Sequence, residues 1–510
     1  MLNILEPYRS QLKDAQQMAY INHCIQQMRA RSEQYRIFRE YYDGDHDTQL
    51  TDRMKAFLQI KIGSDPDFSV NYCPMVVTAK SSRLNVIGFK TEDDTSEILW
   101  DIWQKNRMDA LQGIVHLAVV RDADTFVLCE WDNVAKIPRY YHEKAYCGAG
   151  VMVYYSDERQ TEIKFASKQW IINYGEKTGK QRRLNLYFPN RIERYLSDDD
   201  VSEAWMPYVP DDDPTVFVER GAYGMAGISW WTRDGTENGE PLGIPIFHFK
   251  DNDSGDCYGN GILNRVIPLQ NALNKAEIDL IAAMDVEGFG LMVGTGADWS
   301  GAQVGPGAIV STQKSKSDAS LERLAGTNPV GMLAVKNDII MDIARVTGTP
   351  LSYLQSSGQV AAEGTLKQQE SPLIAQIKKA QVDFGNVWED CMNMGRKLIN
   401  TFGNANLDES VLIETVWAGA ETRNEAEETA TLVQQVEKLG VTQEKAQEKL
   451  GYNAEEREAF AREKMQAQAD AMRLQTRMNA QTQAQAIPDN TAQNNTQTAN
   501  EAQNGNAPPL

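Results

Sequence analysis

The sequence is poor in what marks a metal centre, a secreted framework or a membrane span. Six cysteines (24, 73, 129, 147, 257 and 391) are scattered through 510 residues with no Cys-x-x-Cys pair. That excludes a disulfide scaffold and a thiolate zinc site, and reads as reduced thiols in the cytosol. Only five histidines occur, none at metal-ligand spacing; His142-Glu143 is followed by Tyr146 where a zinc peptidase helix needs its second His. No run reaches the roughly 18 apolar residues of a bilayer span, and the first twenty residues lack a signal-peptide core, so a soluble product is expected. Cations are also in deficit: Lys plus Arg is 51 against 71 Asp plus Glu, a net charge of −20. That excludes a conventional nucleic-acid binder held by phosphate neutralisation and disfavours an anionic membrane surface.

What is present suffices for sizeable cores: 42% hydrophobic residues and ten Trp. At about 150 residues per domain, the length suggests some three parts. Residues 9–42 read as helix closed by Gly44. A helix-like run ends at Gly88-Phe89, and 98–121 carries apolar residues at three-to-four spacing. Strand-like segments separated by Gly, Pro and Asn fill 123–250, an expected antiparallel sheet region. Within it 193–240 is strongly acidic, including Asp198–Asp200 and Asp211–Asp213, whereas 159–192 is basic.

Ile262, Val266, Leu269, Leu273, Ala276, Leu280 and Ala283 then recur at alternating steps of four and three, a helical seam interrupted only by Pro268. Asn271, Asn274, Lys275, Glu277 and Asp279 supply its polar face. A Gly-rich stretch, 288–327, reads as a small β module with strands at Leu291–Val293 and Ala308–Val310 and a basic loop at Lys314-Ser315-Lys316. A second helix is expected at 331–346, closed by Gly348 and Pro350, then a polar loop over 351–364. Leu373 to Leu398 repeat the helical spacing, and 421–478 is rich in Ala, Glu, Gln and Lys. Beyond 479 no aromatic occurs and charge is sparse, so disorder is expected. The fold class is α+β, mainly helical.

No catalytic constellation emerges. Gly175 to Gln181 is one residue short of a phosphate loop and has Gln where the hydroxyl belongs. The glycines at 255, 259 and 261 precede a helix; they either present amides to an anion or permit a sharp helix start, the second reading being favoured. No Gly-x-Ser-x-Gly elbow is present, and Ser10-x-x-Lys13 and Ser311-x-x-Lys314 lack partner motifs. The acidic loops offer a calcium or magnesium site, or with Trp230-Trp231 a glycosidase site, but solvated loops explain them more simply. No metal, no cofactor and no enzyme activity are expected.

The order of segments resembles the portal (head-to-tail connector) family of tailed bacteriophages, of the long non-contractile-tail type. The resemblance covers roughly 35–402. It rests on Tyr41-Tyr42-Asp43-Gly44, Asn71, Pro245-Ile246-Phe247-His248-Phe249, Tyr258-Gly259-Asn260-Gly261 and Leu269-Gln270-Asn271-Ala272-Leu273-Asn274. It continues in Thr347-Gly348-Thr349-Pro350-x-x-Tyr353-Leu354, Glu363-Gly364-Thr365-Leu366-Lys367 and Phe384-Gly385-x-x-Trp388-Glu389. Many relatives carry Ser-Gly-x-Ala-Leu-Lys where this chain has Ala362 to Lys367, which leaves the loop boundary open.

The resemblance implies a ring of twelve subunits at one capsid vertex, a component of the virion assembled in the host cytoplasm. Double-stranded DNA is packaged through its axis by the terminase large subunit. Other expected partners are head-completion or adaptor proteins and the major capsid and scaffold proteins, with no membrane. Mapped onto this chain, the wing is 1–255, helices then antiparallel sheet, with its long helix in 365–420. The stem is 256–287 plus 328–347, the clip 288–327, the tunnel loop 348–364, the helical crown 421–478 and the disordered tail 479–510. Gln355, Ser356, Ser357, Gly358 and Gln359 form an uncharged loop facing DNA. Lys314, Lys316 and Arg323 either face an acidic terminase or adaptor surface or merely solubilise the loop, and Leu269, Leu273, Ala276 and Leu280 pack the stem. The alternatives are another viral helical ring or scaffold protein without DNA translocation, or an acidic-site hydrolase; particle mass separates them.

Overall fold

The computed structural model describes residues 14–46, 70–93, 95–156, 162–173, 180–197, 205–208, 216–218, 227–289, 291–298, 313–315, 317–324, 329–355, 363–403, 405–421, 425–440, 442–449 and 454–485. The chain divides into two compact units, Met1–Glu421 and Thr422–Leu510.

The first unit opens with α1 (Asp14–Ala30) and α2 (Ser32–Asp43), where one helix was expected. Gly44 ends α2 in the left-handed conformation, its N–H donating to the Glu40 carbonyl at 2.9 Å. Helix α3 (Cys73–Ser81) is followed by β1 (Val86–Thr91), so Gly88-Phe89 belong to a strand and not to a helix end. The segment expected as one helix over 98–121 is two, α4 (Ser96–Lys105) and α5 (Met108–Asp122). The break is at Arg107, which adopts φ 56° while Asn106 Nδ2 donates to Ile102 O and Pro138 O, both at 2.9 Å.

Ten strands follow: β2 (Asp124–Asp132), β3 (Ile137–Lys144), β4 (Gly150–Tyr155), β5 (Ile163–Asn173), β6 (Lys180–Tyr187), β7 (Arg191–Ser197), β8 (Trp205–Pro207), β9 (Val216–Val218), β10 (Gly227–Trp230) and β11 (Ile246–Lys250). They form two antiparallel sheets, one ordered β11-β2-β3 and one β4-β5-β6-β7-β10-β9 with β8 on β7.

Helix α6 (Leu263–Phe289) leads into the hairpin β12 (Leu291–Thr295) and β13 (Ser320–Leu324), and α7 (Pro329–Thr347) returns. The strand expected at Ala308–Val310 lies outside the described residues; the partner of β12 is β13. A short α8 (Leu351–Leu354) occupies part of the expected loop, then α9 (Glu363–Phe402) and β14 (Ile413–Trp417) complete the unit. β14 pairs antiparallel with β1, Phe89 opposite Thr415. One core gathers Trp103, Val119, Val127, Phe249, Val266, Leu273, Phe384 and Trp388; the other, beneath the larger sheet, holds Tyr35, Phe126, Val151, Leu184 and Tyr195. Apolar faces of helix and sheet are removed from water together in both.

The second unit consists of α10 (Glu425–Leu439), α11 (Gln443–Lys449) and α12 (Ala454–Gln485). Residues 479–485 are therefore helical, inside the stretch expected to be disordered; the rest of that tail lies outside the described residues.

Candidate functional site: the helix pair, its hairpin and the loop base

Residues of several motifs singled out in the sequence meet at the near half of α6. Gln270, Asn274 and Glu277 are buried there, although the pattern assigned Asn274 and Glu277 to the polar, solvent-facing side. Their burial is explained by partners, since a buried amide is tolerated when its donors and acceptors are filled. Gln270 Oε1 accepts the Tyr72 N–H at 3.0 Å, while its Nε2 donates to the Val70 carbonyl and to Asn274 Oδ1 at 2.9 Å. Asn274 Nδ2 in turn donates to His46 Nε2 at 3.0 Å, and the His46 ring stacks on Tyr41 with centroids 4.1 Å apart. Tyr41 Oη donates to Asn271 Oδ1 at 2.7 Å, and Asn71 Nδ2 to the Tyr41 carbonyl at 2.7 Å. Three distant sequence blocks thus become one junction. Two side chains four residues apart on one helix face supplied the only sequence signal for it.

The glycines before α6 serve the helix start. A Cβ on Gly259 would lie 2.2 Å from the Ala123 carbonyl, and its N–H is already taken by Asp124 Oδ1 at 2.8 Å. Asp124 also accepts from Tyr35 Oη and His248 Nε2, both at 2.8 Å. His248 is held below its ordinary pKa by burial, against the opposing Asp124 carboxylate. Below this turn the buried Lys80 ammonium pairs with Asp251; burial raises the Asp251 carboxyl, and Lys80 opposes the rise.

Of the residues expected to pack the stem, Leu273 is fully buried within the subunit while Leu269, Ala276 and Leu280 are half-buried. Lys336 of α7 pairs with Glu277 of α6 at 2.5 Å. Burial raises the pKa of Tyr72 beside them, with Lys336 opposing. In the hairpin, Met292 is opposite Arg323 in register. Lys314 is exposed and donates to the Gly296 carbonyl at 2.6 Å. Lys316 lies outside the described residues.

The base of the expected loop is pinned from two sides. Gly348 turns the chain at φ 68°, where a Cβ would stand 2.6 Å from Gln376 Nε2; that amide donates to the Thr347 carbonyl at 2.9 Å. Tyr353 Oη donates to Glu370 Oε1 at 3.0 Å, and Arg83 reaches both, together with the Ala420 carbonyl at 3.2 Å. Gln355 Nε2 donates to Asn337 Oδ1 at 3.0 Å, tying the loop's first residue to α7. Ser356, Ser357, Gly358 and Gln359 lie outside the described residues. Beside this turn is an open cleft of about 420 Å³ lined by Met341, Ala344, Pro350, Leu351 and Pro372.

The remaining motifs are structural or outside the described residues. Trp388 Nε1 donates to His116 Nε2 at 3.0 Å, and His116 Nδ1 bonds the Leu84 carbonyl at 2.9 Å. Burial pushes His116 down to about 4. Trp231 Nε1 donates to the Gly243 carbonyl. Asp198–Asp200, Asp211–Asp213 and most of the Gly175 to Gln181 text lie outside the described residues. Among those described, no group of three His, Cys, Asp or Glu could hold a metal, no disulfide forms, and no helix is long and apolar enough to cross a membrane.

The family described as "Phage portal protein, SPP1 Gp6-like" matches residues 21–472. The portal protein of Mycobacterium phage L5 is 22% identical over 482 residues, covering 86% of this chain and 87% of the relative. That of Mycobacterium phage D29 is 23% identical over 438 residues, covering 77% and 78%. Solved structures with some likeness include the virion of a native gene transfer agent particle, at 10% identity and TM-score 0.41, covering 80% of this chain and 95% of that one. The neck of the native particle, computed with C12 symmetry, gives 11% and 0.37, covering 79% and 94%.

Proposed function

Because the chain belongs to the phage portal protein family, we propose that copies of it close into a ring at one vertex of a phage head, with double-stranded DNA passing through the bore. The family match is the observation that carries this reading. The α6–α7 pair capped by a two-stranded hairpin supports it, since an antiparallel pair with apolar positions left half-open can be covered by its neighbour in a ring. The wing is 1–255 with α9, the stem α6 and α7, the clip the β12–β13 hairpin, and the crown the helices after 421. The ring holds twelve subunits, sits in the virion after assembly in the host cytoplasm, and meets capsid and scaffold proteins around its edge.

DNA must slide past without being gripped, and the chemistry of the chain suits this. Affinity for a duplex comes from neutralising its phosphates; the expected lining, Gln355, Ser356, Ser357, Gly358 and Gln359, offers no charge, and the chain as a whole carries −20. A few polar contacts centre the duplex while net repulsion keeps it off the wall. The motor (terminase large subunit) and the adaptor proteins dock on the hairpin through Lys314, Lys316 and Arg323.

Deleting 355–359 tests the lining role. Rings should form with a mass near twelve times 57.2 kDa, yet package or retain less DNA; unchanged packaged DNA would remove the assignment.

A further inference from the structure

The apolar seam of α9 ends on an acid. Traced toward the start of the helix, Phe384, Ala380, Ile377 and Leu373 are buried at steps of four, three and four, and the next step of three reaches Glu370. Before Leu373, Lys367, Gln368, Gln369, Ser371 and Pro372 are exposed; among the described side chains of 364–372, Glu370 alone turns inward. Pro372 stands inside the helix and has no N–H, so the Gln368 carbonyl lacks its i+4 partner. The first turns of α9 therefore project past the core, with one turn already weakened where they leave it.

Arg83, just past the end of α3, receives that acid. Its Nη2 donates to Glu370 Oε1 at 3.1 Å and its Nη1 approaches Oε2 at 3.5 Å, a side-on fork whose side chains are 17% and 13% exposed. The guanidinium is oriented from its other side: Nη1 also donates to the Ala420 carbonyl at 3.2 Å and Nη2 to Tyr353 Oη, with Cζ 6.0 Å from the Tyr353 ring centroid. Tyr353 Oη donates in turn to Glu370 Oε1 at 3.0 Å. Both supports are fixed by the body on their own account. Leu354 beside Tyr353 is buried and Gln355 donates to Asn337. The Ala418 N–H donates to the Asn85 carbonyl at 2.8 Å, and the Ala418 carbonyl accepts from Gln381 at 3.1 Å. The socket is anchored; the acid it receives sits on the projecting turns.

We propose that Arg83 is a positioning residue: with Tyr353 it latches the first turns of α9 through Glu370, and so sets the footing of the chain that joins those turns to α8. The latch lies within one subunit and needs no ring. Its consequence for DNA rests on the reading of 355–359 as the channel lining, which loses one of its two fixed ends when the latch is removed.

Hydrogen exchange on the full chain tests the latch. Glu370→Ala removes the acid without lowering helix propensity, and amides 367–371 should then exchange about tenfold faster, with 376–384 unchanged. Arg83→Ala should give the same acceleration within about threefold. The two combined should exceed the larger single effect by no more than about twofold, because each removes the same bond. Gln368→Ala, at an exposed neighbour, should stay within about twofold of the parent. The latch is overturned if 367–371 do not accelerate, if 376–384 accelerate equally, if the two single effects multiply, or if Gln368→Ala accelerates exchange as much. Rings of the Glu370→Ala chain should form yet package or retain less DNA. Accelerated exchange with packaged DNA unchanged would overturn the consequence for DNA, whereas unchanged exchange overturns the latch and leaves the channel reading standing.

Discussion

From Gln270 to Ile278, helix α6 buries Gln270, Leu273, Asn274 and Ile278 almost completely. Twelve residues after Ala272 the same helix leaves Met284 58% exposed, and the facing start of α7 leaves Val330, Leu333 and Val335 69%, 46% and 54% exposed. The near half is closed within one chain by the hydrogen bonds of Gln270 and Asn274. The far half shows water an apolar surface that a monomer rarely keeps without a use. The difference separates what one subunit settles alone from what a second copy must complete.

The comparison breaks most severely at the body. Lys80→Met should cost about 3–5 kcal/mol, because Asp251 is left charged and buried without its partner, and chemical denaturation of the full chain measures it. Replacing both members by apolar residues should cost much less. A single substitution with no effect would mean the Lys80–Asp251 pair is not buried in the way described.

Acid should strike the same region next. His116 is pushed down to about 4 from an ordinary 6.5. Between those values the unfolded chain binds the proton and the folded one does not, so stability is complete above pH 6.5 and falls as pH drops toward 4, by up to about 3 kcal/mol. His116→Gln, which keeps a donor for Leu84 and an acceptor for Trp388, should flatten that slope in circular-dichroism titrations.

On the far half the expected effects move from folding to assembly. Leu333→Asp with Val335→Asp should change subunit stability by less than about 0.5 kcal/mol while cutting the ring fraction at least tenfold by mass photometry. A loss of stability instead would place those side chains in the subunit's own core. The smallest effect belongs to the hairpin: Lys314→Glu with Lys316→Glu should leave fold and ring untouched and weaken motor or adaptor binding a few-fold, as for exposed ion pairs.

The elements with local signals were legible in the sequence. Gly44 ends α2 because only a left-handed residue satisfies the last carbonyls, and Gly348-Thr349-Pro350 ends α7 for similar reasons. Non-local features were not legible. β14 pairs with β1 across more than half of the chain, and no spacing within either strand announces its partner. The break at Asn106 depends on the Pro138 carbonyl. Asn274 and Glu277 looked like a solvent-facing stripe because periodicity counts polarity and cannot see that His46 and Lys336 wait to receive them. The family was readable from the order of blocks, and the junction that several of those blocks build was not.

Class averages of the purified full chain in negative stain test the central claim most directly. Closed rings with a central hole wide enough for duplex DNA are the predicted result. Discrete 57.2 kDa particles, with no rings at any concentration, would contradict it.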